Sequence, residues 1–156
     1  FDERADFVNK LVELTPNVKF DLYGIDNVQP IWADSFLKAI SNSKMGVNLS
    51  RGDPIKYYSS DRITQLIGNG LLTFIHKNTL FSNFFSSDEI IFYSDISNLS
   101  EKIQKYAKDD EQRKKIAKRG KMKYMKYFNS TIVAEYIINK TFDNTYKKNK
   151  YLWENK

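Results

Sequence analysis

The chain reads as an α/β protein: an open parallel sheet with helices on both faces and a helical extension at its C-terminal end. Three observations predict this. Segments whose apolar residues recur at helical spacing alternate with short runs of strand character. One of those runs, Leu71 to Ile75, is almost uninterrupted in its apolar character, as a strand buried on both faces must be. Beyond Tyr93 the strand signals stop and only helical spacing remains.

The elements follow in order. Phe1, Ala5, Val8 and Val12, flanked by Phe7, Leu11 and Leu14, mark one face of a helix that Thr15-Pro16-Asn17 stops, because proline cannot continue the hydrogen-bond ladder. Val18, Phe20 and Leu22 alternate with polar residues as a strand ending at Gly24. Trp32, Phe36, Leu37 and Ile40 then recur at helical spacing after Pro30. Met45 to Leu49 is a second strand and Arg51-Gly52-Asp53-Pro54 a loop. Ser60 or Asp61 is placed to cap a helix carrying Ile63, Leu66 and Ile67 inward, and Gly68-Asn69-Gly70 to end it with left-handed backbone angles. After the Leu71 strand come a short helix over Leu80 to Phe85 and a last strand over Ile90 to Tyr93. Right-handed crossovers fold such a βαβαβαβ series into a parallel sheet covered on both faces.

The remainder is helical. Asn98, with Glu101 three positions on, resembles a capping box for a helix burying Leu99, Ile103, Tyr106 and Ala107. Asp109 or Asp110 opens a long helix in which Ile116, Gly120, Tyr124 and Phe128 align. A glycine inside a helix costs about 1 kcal/mol relative to alanine, so Gly120 predicts close backbone packing. Asn129 or Ser130 restarts a helix with Ile132, Val133, Tyr136 and Ile137. After Phe142 the Lys-, Asn- and Tyr-rich end has little periodicity, which predicts fraying unless another domain holds it. The domain is expected over residues 1–142, with 143–156 a basic aromatic tail. Because the chain starts on Phe1 within a helical pattern, its natural start and the first strand of the sheet are expected upstream.

At 156 residues with 41% apolar and 15% aromatic content, the chain can bury a substantial core, so disorder is excluded as the default. It has no cysteine, which removes disulfides, thiolate metal sites and a cysteine nucleophile, and a single histidine cannot build a His-rich metal site. No leader and no run of about 18 apolar residues is present, which points to the cytoplasm. The net charge of +6 is uneven. Residues 1–98 carry 9 Lys/Arg against 12 Asp/Glu, whereas 99–156 carry 16 against 7.

Parallel sheets bind ligands beyond the carboxyl ends of their strands, which singles out two loops. Ser50 to Ser60 holds Arg51, Lys56, Tyr57, Tyr58, Ser59 and Ser60 and runs into a helix N-terminus, where backbone N–H groups and the dipole attract an anion. Arg51, Lys56 or Arg62 can supply countercharge to a diphosphate, opposed by the plain reading of a solvated loop. His76, at the end of the Leu71 strand, is within reach of a sugar or phosphate there, opposed by an ordinary surface or capping histidine. Gly68-x-Gly70 precedes a strand instead of following one, so it is no dinucleotide loop. No Ser/His/Asp set, carboxylate pair, P-loop or metal cluster assembles from the spacing. The residues themselves support a binding site, without a reaction centre.

The stretch from Met45-Gly-Val-Asn-Leu-Ser50 through Tyr58-Ser-Ser-Asp-Arg62 and Gly68-Asn-Gly-Leu-Leu72 to Glu89-Ile-Ile-Phe-Tyr93, with Gln112-Arg-Lys-Lys-Ile116 and Gly120, resembles the C-terminal, donor-binding domain of bacterial GT-B glycosyltransferases. The similarity covers about residues 2–142 and is nearest to the CgeB-type group, with family 1 and family 4 enzymes more distant. It implies a Rossmann-like half of a GT-B fold and a nucleoside-diphosphate sugar, UDP- or GDP-linked, as donor, with no permanently bound cofactor or metal. It further implies transfer to a polysaccharide, lipid or protein acceptor, as in cell-surface polysaccharide biosynthesis. In such enzymes an Arg-x-x-Glu-like element places an acidic residue on the donor ribose. Arg62 matches the arginine, but Gln65 stands at the acidic position and offers hydrogen bonds without charge. The phosphate-facing positions become Arg51, Lys56, Tyr58, Ser59, Ser60 and Arg62, the ribose position Gln65, and His76 a sugar or phosphate contact. The resemblance puts the acceptor site and catalytic base on an N-terminal domain, against which the C-terminal helices would cross, explaining Tyr146, Tyr151 and Trp153. This chain alone is then expected to be inactive.

The basic C-terminal segment raises two further readings. One is a nucleic-acid-binding module without catalytic activity. Its lysines are spread around helices and no base-reading motif appears, which counts against it. The other, compatible with a transferase, is a peripheral contact with an anionic membrane at the inner face.

Overall fold

The computed structural model describes residues 3–50, 52–58, 60–143 and 150–155. Its sheet has three parallel strands in the order β1 (Met45–Asn48), β2 (Leu72–His76) and β3 (Ile91–Tyr93). Met45 lies opposite Leu72, and Phe74 opposite Ile91. Successive side chains of a strand point to opposite faces, and every residue of β2 from Leu72 to Ile75 is buried. Leu72 and Phe74 pack with Leu11, Leu99, Ile103 and Ile116 on one face, while Ile75 packs with Ile63, Ile67, Phe85 and Ile90 on the other.

Two helices supply the first layer, α1 (Glu3–Leu14) and α4 (Ile96–Lys108). They are joined where the buried Thr15 hydroxyl donates to Ser100 Oγ at 2.9 Å and Ser100 donates in turn to the Leu14 carbonyl. The second layer is α3 (Arg62–Gly68), after α2 (Ala33–Asn42). A long helix, α5 (Asp110–Tyr127), contributes Ile116 and Ala117 to one core and Tyr124 to the other. It meets the chain just ahead of the strands. Arg113, buried, donates to the Lys44 carbonyl immediately before β1 and pairs with Asp110. Gly120 lies so close to Glu89, just before β3, that a Cβ would sit 2.1 Å from the Glu89 carbonyl oxygen. The close approach expected of Gly120 is therefore present. Gly46 of β1 is a second tight point, but there the added atom would meet the flexible end of Leu66. Last comes α6 (Ser130–Thr141), capped by Asn129 as expected.

Several expectations need correction. Val18, Phe20 and Leu22 do not form a strand, although Val18 and Phe20 pack on the core, and Asn17–Asp21 and Met45–Val47 both line a crevice of about 420 Å³. Alternation reports which side chains are buried, and it does not report whether the backbone finds a partner. Trp32 and Leu37 are 70% and 55% exposed, so α2 buries Ile40 fully and Phe36 and Ala39 only in part. The short helix over Leu80 to Phe85 is two 3-10 turns, Lys77–Thr79 and Phe81–Asn83, separated by Leu80 at φ +55°. Helix α4 starts earlier than Asn98, because Asp95 accepts the Asn98 N–H at 2.9 Å and is the cap; Ala107 is exposed. Val133 and Ile137 of α6 face solvent, with Ile138 and Phe142.

The chain end also differs from the expected fraying. Tyr151 is 1% exposed, stacked on Trp153 at 5.6 Å and edge-on to Tyr136 at 4.9 Å. Trp153 reaches Phe128 at 5.7 Å. Aromatic packing of this kind follows no helical period, so periodicity overlooks it. Tyr146 lies outside the described residues.

Two outcomes follow from these contacts. Gly120→Ala forces the Glu89 backbone to move and should lower stability by roughly 1–3 kcal/mol, whereas Gly46→Ala should cost less because the Leu66 side chain can shift; chemical denaturation of both variants compares them. Hydrogen bonds from Arg113 and then Lys114 hold the Asp110 carboxyl well below the usual carboxylate range. A depressed folded pKa contributes stability above the ordinary value of about 4 that is lost as pH falls below it. Asp110→Asn should therefore be less stable at neutral pH, and its stability should fall less steeply on acidification below about pH 4.

Candidate functional site

All three strands end at one rim, and the loops after them form the candidate site. The start of α3 is fastened to the tip of β1. Arg62 Nη1 donates to the Leu49 carbonyl at 3.0 Å, and the Ser60 hydroxyl donates to Oδ1 of the buried Asn48 at 3.3 Å. Neither Ser60 nor Asp61 caps the helix with its side chain, contrary to the sequence reading. The Ile63 and Thr64 N–H groups bond to the Ser60 and Asp61 carbonyls instead. Those two amides are therefore not offered to a ligand.

The loop before α3 is held by Tyr57. Its backbone has φ +58°, a left-handed angle that is rare for a bulky residue and persists only when surroundings over-determine it. Three contacts do so here: Tyr57 N–H donates to the Thr79 carbonyl at 2.7 Å, its hydroxyl accepts from Asn83 Nδ2 at 2.6 Å, and its ring lies 5.1 Å from Phe84. Lys56 Nζ rests 4.9 Å from the centre of the same ring.

Two chambers open along the rim. The first, of about 300 Å³, is lined by Ser50 and Asp53 after β1, His76 ending β2, and Tyr93 and Asp95 at the end of β3, with Arg4 from α1. The second, of about 410 Å³, is lined by Arg62, Tyr23, Pro30 and Phe36 among others. Arg4 and Leu49 belong to both, so the chambers adjoin. A separate aromatic cleft of about 460 Å³ lies against Ser60, Tyr57, Phe84, Tyr124 and Trp153.

His76 sits in the first chamber with both ring nitrogens engaged. Nε2 lies 2.8 Å from the Ser94 carbonyl and must donate to it, while Nδ1 accepts the Asn78 N–H at 3.2 Å. One N–H and one bare nitrogen are what the neutral ring provides. Tyr93 stands edge-on to it at 5.2 Å. Asp95 accepts from the Ser94 hydroxyl at 2.6 Å and from the Asn98 N–H; these bonds, Ser94 first, lower its pKa.

The predicted site residues are thus distributed. Arg62 and His76 occupy adjoining chambers, and Ser60 opens onto the aromatic cleft. Lys56 and Tyr58 are exposed and line none of these spaces. Gln65 is half-buried one turn along α3 from Arg62, with no side-chain hydrogen bond to a described residue. Arg51 and Ser59 lie outside the described residues. Sequence reasoning missed Arg4, Asp53, Tyr93 and Asp95. Arg4 carried a usable signal: it stands at helical spacing with Phe7, Val8 and Leu11, a cation within an apolar stripe. Among the described residues no group of three His, Asp or Glu is placed to hold a metal, and no helix is long and apolar enough to cross a membrane.

A parallel sheet covered on both faces, with adjoining chambers and arginines across its C-terminal rim, defines a Rossmann-like ligand-binding domain. The chain belongs to the family described as Glycosyl transferase-like, which matches residues 4–139, and it is therefore a glycosyltransferase domain. Membership implies a sugar nucleotide as donor. No curated protein and no solved structure matches the chain.

Asp95 offers a direct check on how the rim is held. Asp95→Ala should lower the melting temperature through loss of the α4 cap, while Asp95→Asn, which retains a capping oxygen, should leave it nearly unchanged.

Proposed function

We propose that this chain is the donor-binding domain of a bacterial glycosyltransferase that moves a sugar from a UDP- or GDP-linked donor onto a polysaccharide, lipid or protein acceptor. The observation that carries the reading is the pair of adjoining chambers, with Arg4 and Leu49 common to both and Arg62 in the second. A sugar nucleotide has three parts, and the rim has three matching environments. The second chamber, bounded by Tyr23, Pro30 and Phe36, suits a planar base and its ribose. The arginines suit the diphosphate, since guanidinium groups bind phosphate oxygens in bidentate fashion. The first chamber, with its hydroxyl, imidazole and carboxylates, suits a sugar.

Within this reading Arg62 and Arg4 face the diphosphate, Gln65 the ribose diol and His76 the sugar. Arg51, Lys56, Tyr58, Ser59 and Ser60 take the phosphate-side positions that the family resemblance gives them. The acceptor site and catalytic base belong to an N-terminal GT-B domain, and the solvent-facing apolar residues of α2 and α6 are surfaces against which it would rest. The domain proper is residues 1–142 and the tail 143–156. Action in the cytoplasm, in cell-surface polysaccharide synthesis, would let the basic outer side of α5, with Lys115, Lys118 and Lys126, approach the anionic inner face of the membrane.

Calorimetric titration of the full-length protein with UDP, GDP and their sugar conjugates tests the reading, and absence of millimolar binding by every one of them rejects it. Arg62→Ala should weaken binding on the order of tenfold to a hundredfold, the value of charge-assisted hydrogen bonds. Gln65→Glu, which restores the acidic residue, should tighten binding of UDP over 2′-deoxy-UDP; equal affinities would remove Gln65 from the ribose.

A further inference from the structure

Tyr57 and Leu80 stand at φ +58° and +55°, angles rare for bulky side chains, and they lie on the two loops that leave β1 and β2 at the rim. Backbone held at such angles is a feature of places where a loop must keep one position. Here the contacts that hold it run from loop to loop. Tyr57 N–H donates to the Thr79 carbonyl at 2.7 Å, and Asn83 Nδ2 donates to the Tyr57 hydroxyl at 2.6 Å.

Each side of this clamp is joined stiffly to the first chamber. On the loop after β1, Tyr58 N–H closes a turn on the Ile55 carbonyl, and Pro54, whose ring fixes φ, comes just before it and lines the chamber. On the loop after β2, the hydroxyl of the buried Thr79 donates at 2.7 Å to the carbonyl of His76, which lines the chamber from the other side. Leu80 N–H bonds to the Lys77 carbonyl and Asn83 N–H to the Leu80 carbonyl, so this loop too is a series of closed turns. Asn83 itself is exposed and lines neither chamber.

We propose that Tyr57 and Asn83 are positioning residues for the donor: their hydrogen bond clamps the two rim loops together, so that Pro54 and His76 keep a set separation before a ligand arrives. This rests on the donor-binding reading above and adds to it the residues that preset its sugar side. A ligand that finds both loops in place does not have to order them, and affinity rises accordingly. The net value of one such hydrogen bond corresponds to about three- to tenfold in affinity.

Asn83→Ala in the full-length protein is the test, because Asn83 is remote from both chambers and an effect on the donor has to be transmitted to them. Titration with UDP, UDP-glucose, GDP and GDP-mannose first shows which nucleotide binds. For that nucleotide, Asn83→Ala should weaken the sugar conjugate about three- to tenfold and the bare diphosphate less, with the melting temperature nearly unchanged. Amide hydrogen exchange over residues 54–58 should become several-fold faster. Tyr57→Phe, which keeps the ring against Phe84, should give the same losses, and the double variant should bind no more weakly than either single one, since both remove the same bond. Unchanged affinity for the conjugate, unchanged exchange over 54–58, additive losses, or a loss shared equally with the bare diphosphate would each overturn the positioning role while leaving the donor site intact. Failure of every nucleotide to bind the unaltered protein would overturn the donor reading and this role with it. Should Tyr57→Phe not fold, affinity and exchange in Asn83→Ala still decide.

Discussion

The burial of β2 on both faces is the constraint from which the domain follows. A strand with Leu72, Thr73, Phe74 and Ile75 all shielded from water cannot lie at the edge of a sheet or under a single layer of helices. It needs a strand on each side and a helical layer on each face, and parallel strands can be joined only by crossovers. Crossovers bring the carboxyl ends of β1, β2 and β3 to one rim. The site exists at that rim because the core requires the strands to run together.

The opposite ends of the strands are treated differently. There α5 closes on the sheet with Arg113 on the Lys44 carbonyl and Gly120 against the Glu89 backbone. Lys123 and Glu89 complete this side. Burial opposes the Glu89 charge, yet the Lys123 ammonium and the Ser86 N–H hold its pKa lower. Rigidity at one end and open loops at the other are a common division in parallel α/β domains, where packing fixes the scaffold and loops carry function. The strained Tyr57 belongs to the open end, where it anchors the loop that brings Ser50 and Asp53 to the first chamber.

The helix start at Arg62 carries a specific lesson about anion recognition. A free helix N-terminus offers unpaired amides, but α3 begins with a tight turn that uses the Ile63 and Thr64 N–H groups internally. In the proposed reading, recognition of a diphosphate falls to Arg62 and Arg4, which come from helices more than fifty positions apart. Arg62 is itself oriented by the Leu49 carbonyl, so its guanidinium is fixed before any ligand arrives.

Alternating periods and the apolar run at Leu71 determined the fold class, the three strands that pair, and the helices they join, because those signals record burial, which secondary structure repeats regularly. Arg62 and His76 were legible for the same reason, as residues placed at element boundaries. Tertiary structure alone decided that Val18 to Leu22 packs without pairing and that Tyr151 and Trp153 dock on α6. It likewise brought Arg4, Tyr93, Asp53 and Asp95 together around one chamber. Those outcomes depend on distances between segments remote in the chain, and a linear pattern carries no information about separations that only packing sets.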